Sequence, residues 1–296
     1  MKRIDTFDAL RDLAAESEKL SLGVGSPRKD EEFYLFRGAD KCFPLLSSIQ
    51  VHLSKTKKDA RWEEKISNYE RTLLNRFLRD VEPYRQLNEQ YHWYCPPCPK
   101  TDSFWYLSVM QHFGCPTRLC DFTADFWTAV FFAAVKATDG TDMGFYRLRC
   151  RNNDLKGNKL PKDSNGDPWL HPDYLNVSDL VGYLIGYEGF TTPNDTVKSR
   201  LQLFKTKNDK RQLFGWDTPY FKNARIQKQR GFFVYSVDVA TPLEESIVDH
   251  NGTEFTKYQI AAAMLPRIRS YLATQDFLEW KVYLDLDRLF RQWKNE

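Results

Sequence analysis

Apolar residues recur at helical spacing in three stretches of the chain. Phe7, Leu10, Leu13, Ala14 and Leu20 mark a short amphipathic helix within residues 1–20. Trp62, Ile66, Tyr69, Leu73, Phe77 and Leu78 mark a longer one over 61–80. Phe104, Leu107 and Met110 mark a third over Phe104–Phe113, with Asp102 or Ser103 as its cap and Gly114 as its stop. Elsewhere the pattern is not helical. Phe33–Phe36 is a compact aromatic run of strand formers, and Thr117–Thr123, Gly144–Cys150 and Gly231–Val237 read as further strands. Phe126–Val135 is apolar nearly all round behind the capping Asp125, which predicts a helix buried in the domain centre. A helix near Ser178–Tyr187 is expected, and the C-terminal part reads as helix (258–273), short strand (Lys281–Leu284) and helix (285–294). Strands scattered among helices of unequal length, without a repeating strand-helix-strand period, predict an α+β fold with a mixed sheet core flanked by helices.

Polar runs set the expected boundaries. The glycines and proline of Ser21–Pro27 separate a helical extension, 1–32, from a main domain, 33–296, and polar composition from Arg151 marks an insertion at about 151–222. The chain is 42% hydrophobic and 15% aromatic, which excludes a disordered polymer. No run reaches the about 18 apolar residues of a membrane-spanning helix. Acids at Asp5 and Asp8 stand where a signal peptide has its apolar centre, which argues for a cytoplasmic protein. Cys95 and Cys98, with His92 upstream, form the one metal-like spacing, and no second pair answers it. Reduced thiols and no bound metal are expected.

Charge changes the picture more than composition does. The formal net charge is +3, yet Thr196–Arg230 holds ten Lys or Arg against two Asp, a local +8 that leaves −5 for the remainder. Such asymmetry points to a polyanionic partner. Phe204, Phe214, Trp216, Tyr220 and Phe221 interleave with these cations. Charges for phosphates and flat rings for unpaired bases make Lys205, Lys207, Lys210, Arg211 and Trp216 candidates for contacting single-stranded RNA. The alternative is a solvated basic face anchored by its aromatics.

Two stretches carry most of the candidate chemistry. Phe33–Phe36 delivers Arg37-Gly38 at a strand end, where a guanidinium can grip a phosphate or carboxylate and a glycine admits a close neighbour. Gln111–Thr123 packs an imidazole, a guanidinium, a carboxylate, hydroxyls, thiols and an amide into one loop and strand between apolar elements. A plainer reading has Gly114 and Pro116 turning the chain, His112 sitting in the core and Arg118 pairing with Asp121.

Those residues resemble the FRG-domain family, named for its Phe-Arg-Gly motif, here Phe36-Arg37-Gly38. The family's Gln-His-aromatic-Gly, Pro-Thr-Arg-Leu and Asp-aromatic-Thr run is matched by Gln111–Thr123, and its Arg-Ile and Gln-x-Gly-x-Phe segment by Arg225-Ile226 and Gln229–Phe233. Cys115 and Cys120 replace aliphatic residues, Phe122 a tryptophan, and Asp125-Phe126 an Asn-Pro, none of which removes a polar member of the loop. More loosely, the order Arg37, Thr123, Gln229 is similar to that of mono-ADP-ribosyltransferases. The resemblance implies an ADP-ribosyltransferase-like fold and NAD as substrate, in a toxin or antiviral effector that modifies RNA or protein; a cognate antitoxin is a candidate partner that nothing in the sequence names. It implies that Arg37 binds the pyrophosphate, with Gly38, Gln111, Thr117, Arg118 and Gly231 beside the dinucleotide. Thr123 would orient the nicotinamide end and Gln229 would lie near the ribose. The catalytic glutamate usual in such enzymes has no counterpart at 227–231. Asp121 is the candidate to supply its negative charge, with His112 orienting the ribose or the acceptor. A plain NAD glycohydrolase, or a non-catalytic module that binds nucleic acid or a nucleotide, are the alternatives.

Overall fold

The structure, a computed structural model, describes residues 1–20, 32–42, 44–54, 61–81, 103–151, 214–217, 224–236, 239–247 and 254–283. The helices expected near 178–187 and 285–294, the pair Cys95 and Cys98, and the cations Lys205, Lys207, Lys210 and Arg211 lie outside the described residues. In chain order the elements are β1 (Lys2–Ile4), α1 (Phe7–Glu18), β2 (Glu32–Ala39), α2 (Ser48–Leu53), α3 (Trp62–Val81), α4 (Ser103–His112), β3 (Cys120–Thr123) and α5 (Phe126–Val135). They continue with β4 (Met143–Arg151), β5 (Phe214–Asp217), α6 (Ala224–Lys228), β6 (Gly231–Ser236), α7 (Leu243–Ser246), β7 (Glu254–Ile260), α8 (Leu265–Thr274) and α9 (Glu279–Tyr283).

Among the described residues the strands form one seven-stranded sheet in the order β1-β7-β4-β2-β3-β6-β5. Only β1 and β7 run parallel; every other neighbouring pair is antiparallel. The expected α+β class with a mixed sheet flanked by helices therefore holds. Residues 2–18, read from sequence as an extension, supply this edge strand and a helix in the main core.

Alternation along β2 explains how the layers form. Tyr34 and Phe36 face a core built with α1, α5 and α8, whereas Phe33 and Leu35 face the opposite side with Leu45, Leu243 and Ile247. Burying each such side chain stabilises the fold by about 1.5–3 kcal/mol. Asp125 caps α5 by accepting from the Thr128 amide at 2.6 Å, and Ala129 and Ala133 let this helix lie close to β2. A third cluster packs Leu74 of α3 and Tyr106, Leu107, Val109 and Met110 of α4 against Phe233 and Tyr235 of β6.

Two local expectations are corrected. The helix expected from 258 begins only at Leu265, because Tyr258 and Ile260 alternate inward as strand residues of β7 and Pro266 stands in the first turn of α8. The strand expected over Lys281–Leu284 is instead helical through Tyr283. Gln229 Nε2 donates to the Val282 carbonyl at 2.9 Å, so this segment docks end-on against the α6–β6 turn rather than joining the sheet. Among the described residues no helix is long and apolar enough to cross a membrane.

Candidate functional site

The first strand pair of the site barely pairs. β2 and β3 share a single register pair, Phe36 with Thr123, while β2 runs beside β4 over its whole length. Just past that pair Arg37 turns its guanidinium across to β3, and Nη1 donates to the Asp121 carbonyl at 2.6 Å. Nε is buried without a hydrogen-bond partner. Arg37 has no carboxylate partner among the described residues, unlike Arg118, Arg147 and Arg149. Arg147 pairs with Glu16 at 2.8 Å, Arg149 with Glu32, and Arg118 with Glu70 at 2.6 Å. A guanidinium left with one carbonyl and an unsatisfied nitrogen retains capacity to bind an anion.

The capacity is aimed into a cleft of about 370 Å³, the size of a small-molecule site. Arg37, Gly38, Gln111, His112, Asp121, Thr123, Gln229 and Gly231 all border it, so residues from three separate motifs converge. Helix α4 ends in Gly114 at φ 79°, the left-handed turn that glycine makes cheaply, and the chain folds back on Gln111. Gln111 Oε1 accepts from Thr117 Oγ1 at 2.7 Å and Ser48 Oγ at 3.1 Å, and its Nε2 donates to Asp121 Oδ2 at 3.3 Å. Gln111 thus joins the loop to the carboxylate it presents to the cleft.

Some residues take other positions than those expected. Arg118 does not reach the cleft. It is 3% exposed, and its guanidinium and backbone amide both donate to the carboxylate of Glu70, which is fully buried on α3. Neither a cofactor contact nor the plainer pairing with Asp121 fits that geometry. Thr117 is likewise buried, holding Gln111 rather than bordering the opening. The Thr123 hydroxyl donates to the Gln229 carbonyl at 2.6 Å and accepts from the Asp125 amide at 3.0 Å, so its proton is engaged in joining β3 to the α6–β6 turn. Gly38 is needed by the helix beside it: an added Cβ would lie 1.8 Å from the Ala129 carbonyl oxygen. Gly231 is similar in kind, with an added Cβ 3.1 Å from Ile226. Trp216 lies on edge strand β5.

Lys136, Arg225, Phe132 and Tyr283 also border the cleft and were not singled out from sequence as site residues. Arg225 stood in the Arg-Ile segment and was legible as a motif member. Tyr283 carries no local signal, because only the docking of α9 brings it to the opening. Its ring lies under the Arg225 guanidinium, 5.1 Å from centroid to Cζ. Among the described residues no group of His, Cys, Asp and Glu has the makings of a metal site.

Burial, and then the nearby Arg225 charge, hold the His112 imidazole below its ordinary pKa; the Asp121 carboxylate works the other way. The neutral form of His112, which can accept a proton, is thereby favoured. A depressed folded-state pKa leaves stability intact above the unfolded value of about 6.5 and removes it as the pH falls from there through the folded pKa. His112→Gln should flatten the decline of Tm as the pH falls below about 6.5, the unfolded value. An unaltered Tm–pH curve would place the acid sensitivity elsewhere.

The geometry thus defines an α+β chain whose sheet opens on a cleft with a guanidinium in its wall. The FRG domain family model matches residues 32–142, from β2 to the residue before β4, and supports the FRG family for this stretch. Arg37, Gly38, Gln111, His112, Asp121 and Thr123 fall inside the match; Arg225, Gln229, Gly231 and Tyr283 complete the cleft from outside it. No curated protein and no solved structure matches the chain.

Proposed function

We propose that the cleft binds NAD and that the chain breaks the bond between nicotinamide and ribose, passing ADP-ribose to a macromolecular acceptor. The observation that carries this reading is Arg37, a guanidinium without a carboxylate partner among the described residues, set in a ligand-sized cleft beside Asp121 and His112. Phosphate is the anion its planar fork suits, and a dinucleotide brings two. Breaking the glycosidic bond develops positive charge on the ribose, which the Asp121 carboxylate at the cleft wall would stabilise. Gln111 Nε2 keeps that carboxylate oriented. Neutral His112 is suited to take the proton of the attacking group.

The test is release of nicotinamide by the pure protein, together with transfer of label from NAD to protein, RNA or DNA. Release without transfer would make the chain a glycohydrolase. Arg37→Lys keeps the charge and loses the two-pronged geometry, so kcat/KM should fall about 100-fold, the scale seen when an oriented donor is removed. Its Tm should move by no more than about 4 °C, the cost of one hydrogen bond. Equal losses of stability and turnover would return Arg37 to a structural role, and absence of NAD cleavage by the wild type would end the reading.

A further inference from the structure

Directly opposite residues of neighbouring strands share a face of the sheet, and three such residues form a row across β7, β4 and β2. Lys257 pairs in register with Tyr146, and Tyr146 with Arg37. The row lies on the face that α7 covers, since Tyr146 packs in one cluster with Leu243, the first residue of that helix. Tyr146 is 1% exposed and separates the two cations: the Lys257 ammonium lies 5.6 Å from its ring centroid, and the Phe255 ring stacks on it at 6.0 Å. Glu244, next on α7, reaches down to this row. Its Oε2 accepts from the Leu45 amide, and its Oε1 accepts from Lys257 Nζ at 3.5 Å. The charges of Glu244 and Arg37 meet in the same part of the core. Burial pushes up the pKa of the Cys120 thiol and of the Tyr146 phenol, and on each the Glu244 charge adds to the rise while the Arg37 charge opposes it.

Resting on the reading of Arg37 as an anion site, we propose that Lys257 is a positioning residue that holds Glu244 away from Arg37 and so keeps the Arg37 guanidinium open to phosphate. A partly buried carboxylate pairs with whichever cation offers it a charge-assisted hydrogen bond, because leaving it unpaired there is costly. The Glu244 side chain is only 18% exposed, so water satisfies it poorly, and the row offers it a cation at either end. Lys257 takes it. Arg37, with a buried Nε that has no partner and a bond only to the Asp121 carbonyl, therefore keeps donors for a ligand. Without the Lys257 ammonium, Glu244 turns to the other end of the row and competes with the ligand for the guanidinium, so its attraction to Arg37 counts against every bound phosphate. Lys257 is not among the residues that border the cleft, and it acts on the ligand only through Glu244.

A double-mutant cycle with inorganic pyrophosphate as the probe tests this by calorimetry on the full chain, without requiring NAD cleavage. Lys257→Gln, or Lys257→Met should the first not fold, is expected to weaken pyrophosphate binding about tenfold, the scale of coupling between neighbouring charged groups. Lys257→Arg keeps the pair and should bind as the wild type does. Glu244→Gln alone should change little, because Lys257 already occupies that charge, yet it should abolish the effect of Lys257→Gln in the double variant. If Lys257 instead added to a general positive field, Glu244→Gln would strengthen binding as much as Lys257→Gln weakens it, and the two effects would sum. Such additivity overturns the proposal. So does a Lys257→Gln variant that binds as tightly as the wild type. A double variant that stays as weak as Lys257→Gln, with a lowered Tm, also overturns it, because a structural role alone gives that result. Wild-type protein that binds no pyrophosphate overturns this proposal together with the Arg37 anion site; binding of pyrophosphate without cleavage of NAD overturns the NAD reading alone.

Discussion

Glu70→Gln should cost about 3–5 kcal/mol of folding stability, the scale of a buried charge deprived of its partner. Glu70 is fully buried, and Arg118 at 3% exposure has no water to turn to. The carboxylate accepts from Arg118 Nε at 2.8 Å, Nη2 at 2.6 Å and the backbone amide at 3.0 Å, so one substitution weakens three bonds. The pair ties α3 to the loop that leads into β3, and Asp121 lies on that strand. Urea unfolding of Glu70→Gln, Arg118→Met and the double variant Glu70→Leu with Arg118→Met separates the possibilities. The double variant should recover most of the loss, because an apolar pair of similar volume leaves no charge stranded. A double variant that folds yet has lost all of the proposed NAD cleavage would point to a role for Arg118 beyond anchoring.

Gly38→Ala should be the second damaging change, costing at least the about 3 kcal/mol at the upper end of overpacked sites. Its Cβ would meet the Ala129 carbonyl oxygen at 1.8 Å and the Ala133 amide nitrogen at 2.7 Å, both backbone atoms that no rotamer change removes. Either α5 shifts away from β2 or β2 bends. Phe132 on α5 and Lys136 at its end border the cleft, so the NAD cleavage proposed above should fall along with stability. Gly114→Ala is the control. That glycine has φ 79° with open space where a Cβ would stand, so it should cost only about 1 kcal/mol. If Gly38→Ala proves milder than Gly114→Ala, the close approach of helix to strand is not what requires the glycine.

These two residues also show what could be read from the chain beforehand. The strand ending in Arg37-Gly38, the stop of α4 at Gly114 and the buried helix behind Asp125 were all legible, because each depends on neighbours in sequence. Arg118 was not. Its partner Glu70 lies far back on α3, and a charged residue inside a motif gives no sign of which way it faces. The value of Arg37 is that it lacks an ion-pair partner among the described residues, which only packing reveals. The end of strand β7, from Tyr258, was read as the start of a helix because Ala261 to Leu265 continues its apolar run, blurring a period of two into one of 3.6. Lys281–Leu284 was read as a strand because Val282 and Tyr283 have strand-forming side chains, a preference that docking beside Gln229 overrides through Tyr283.

The parallel pairing of β1 with β7 bears on the order in which a growing chain can mature. Lys2 meets Tyr258 and Ile4 meets Ile260, so β1 must wait for β7, the last of the described strands, before it finds its neighbour. The same holds at the cleft, whose Arg37 emerges early and whose Tyr283 emerges late. On a ribosome that adds about 5–20 residues per second, the wait is on the order of ten seconds or more. Until Tyr283 has cleared the exit tunnel the nascent protein carries a cleft without that wall, so the cleft is completed only after every described strand of the sheet has been made.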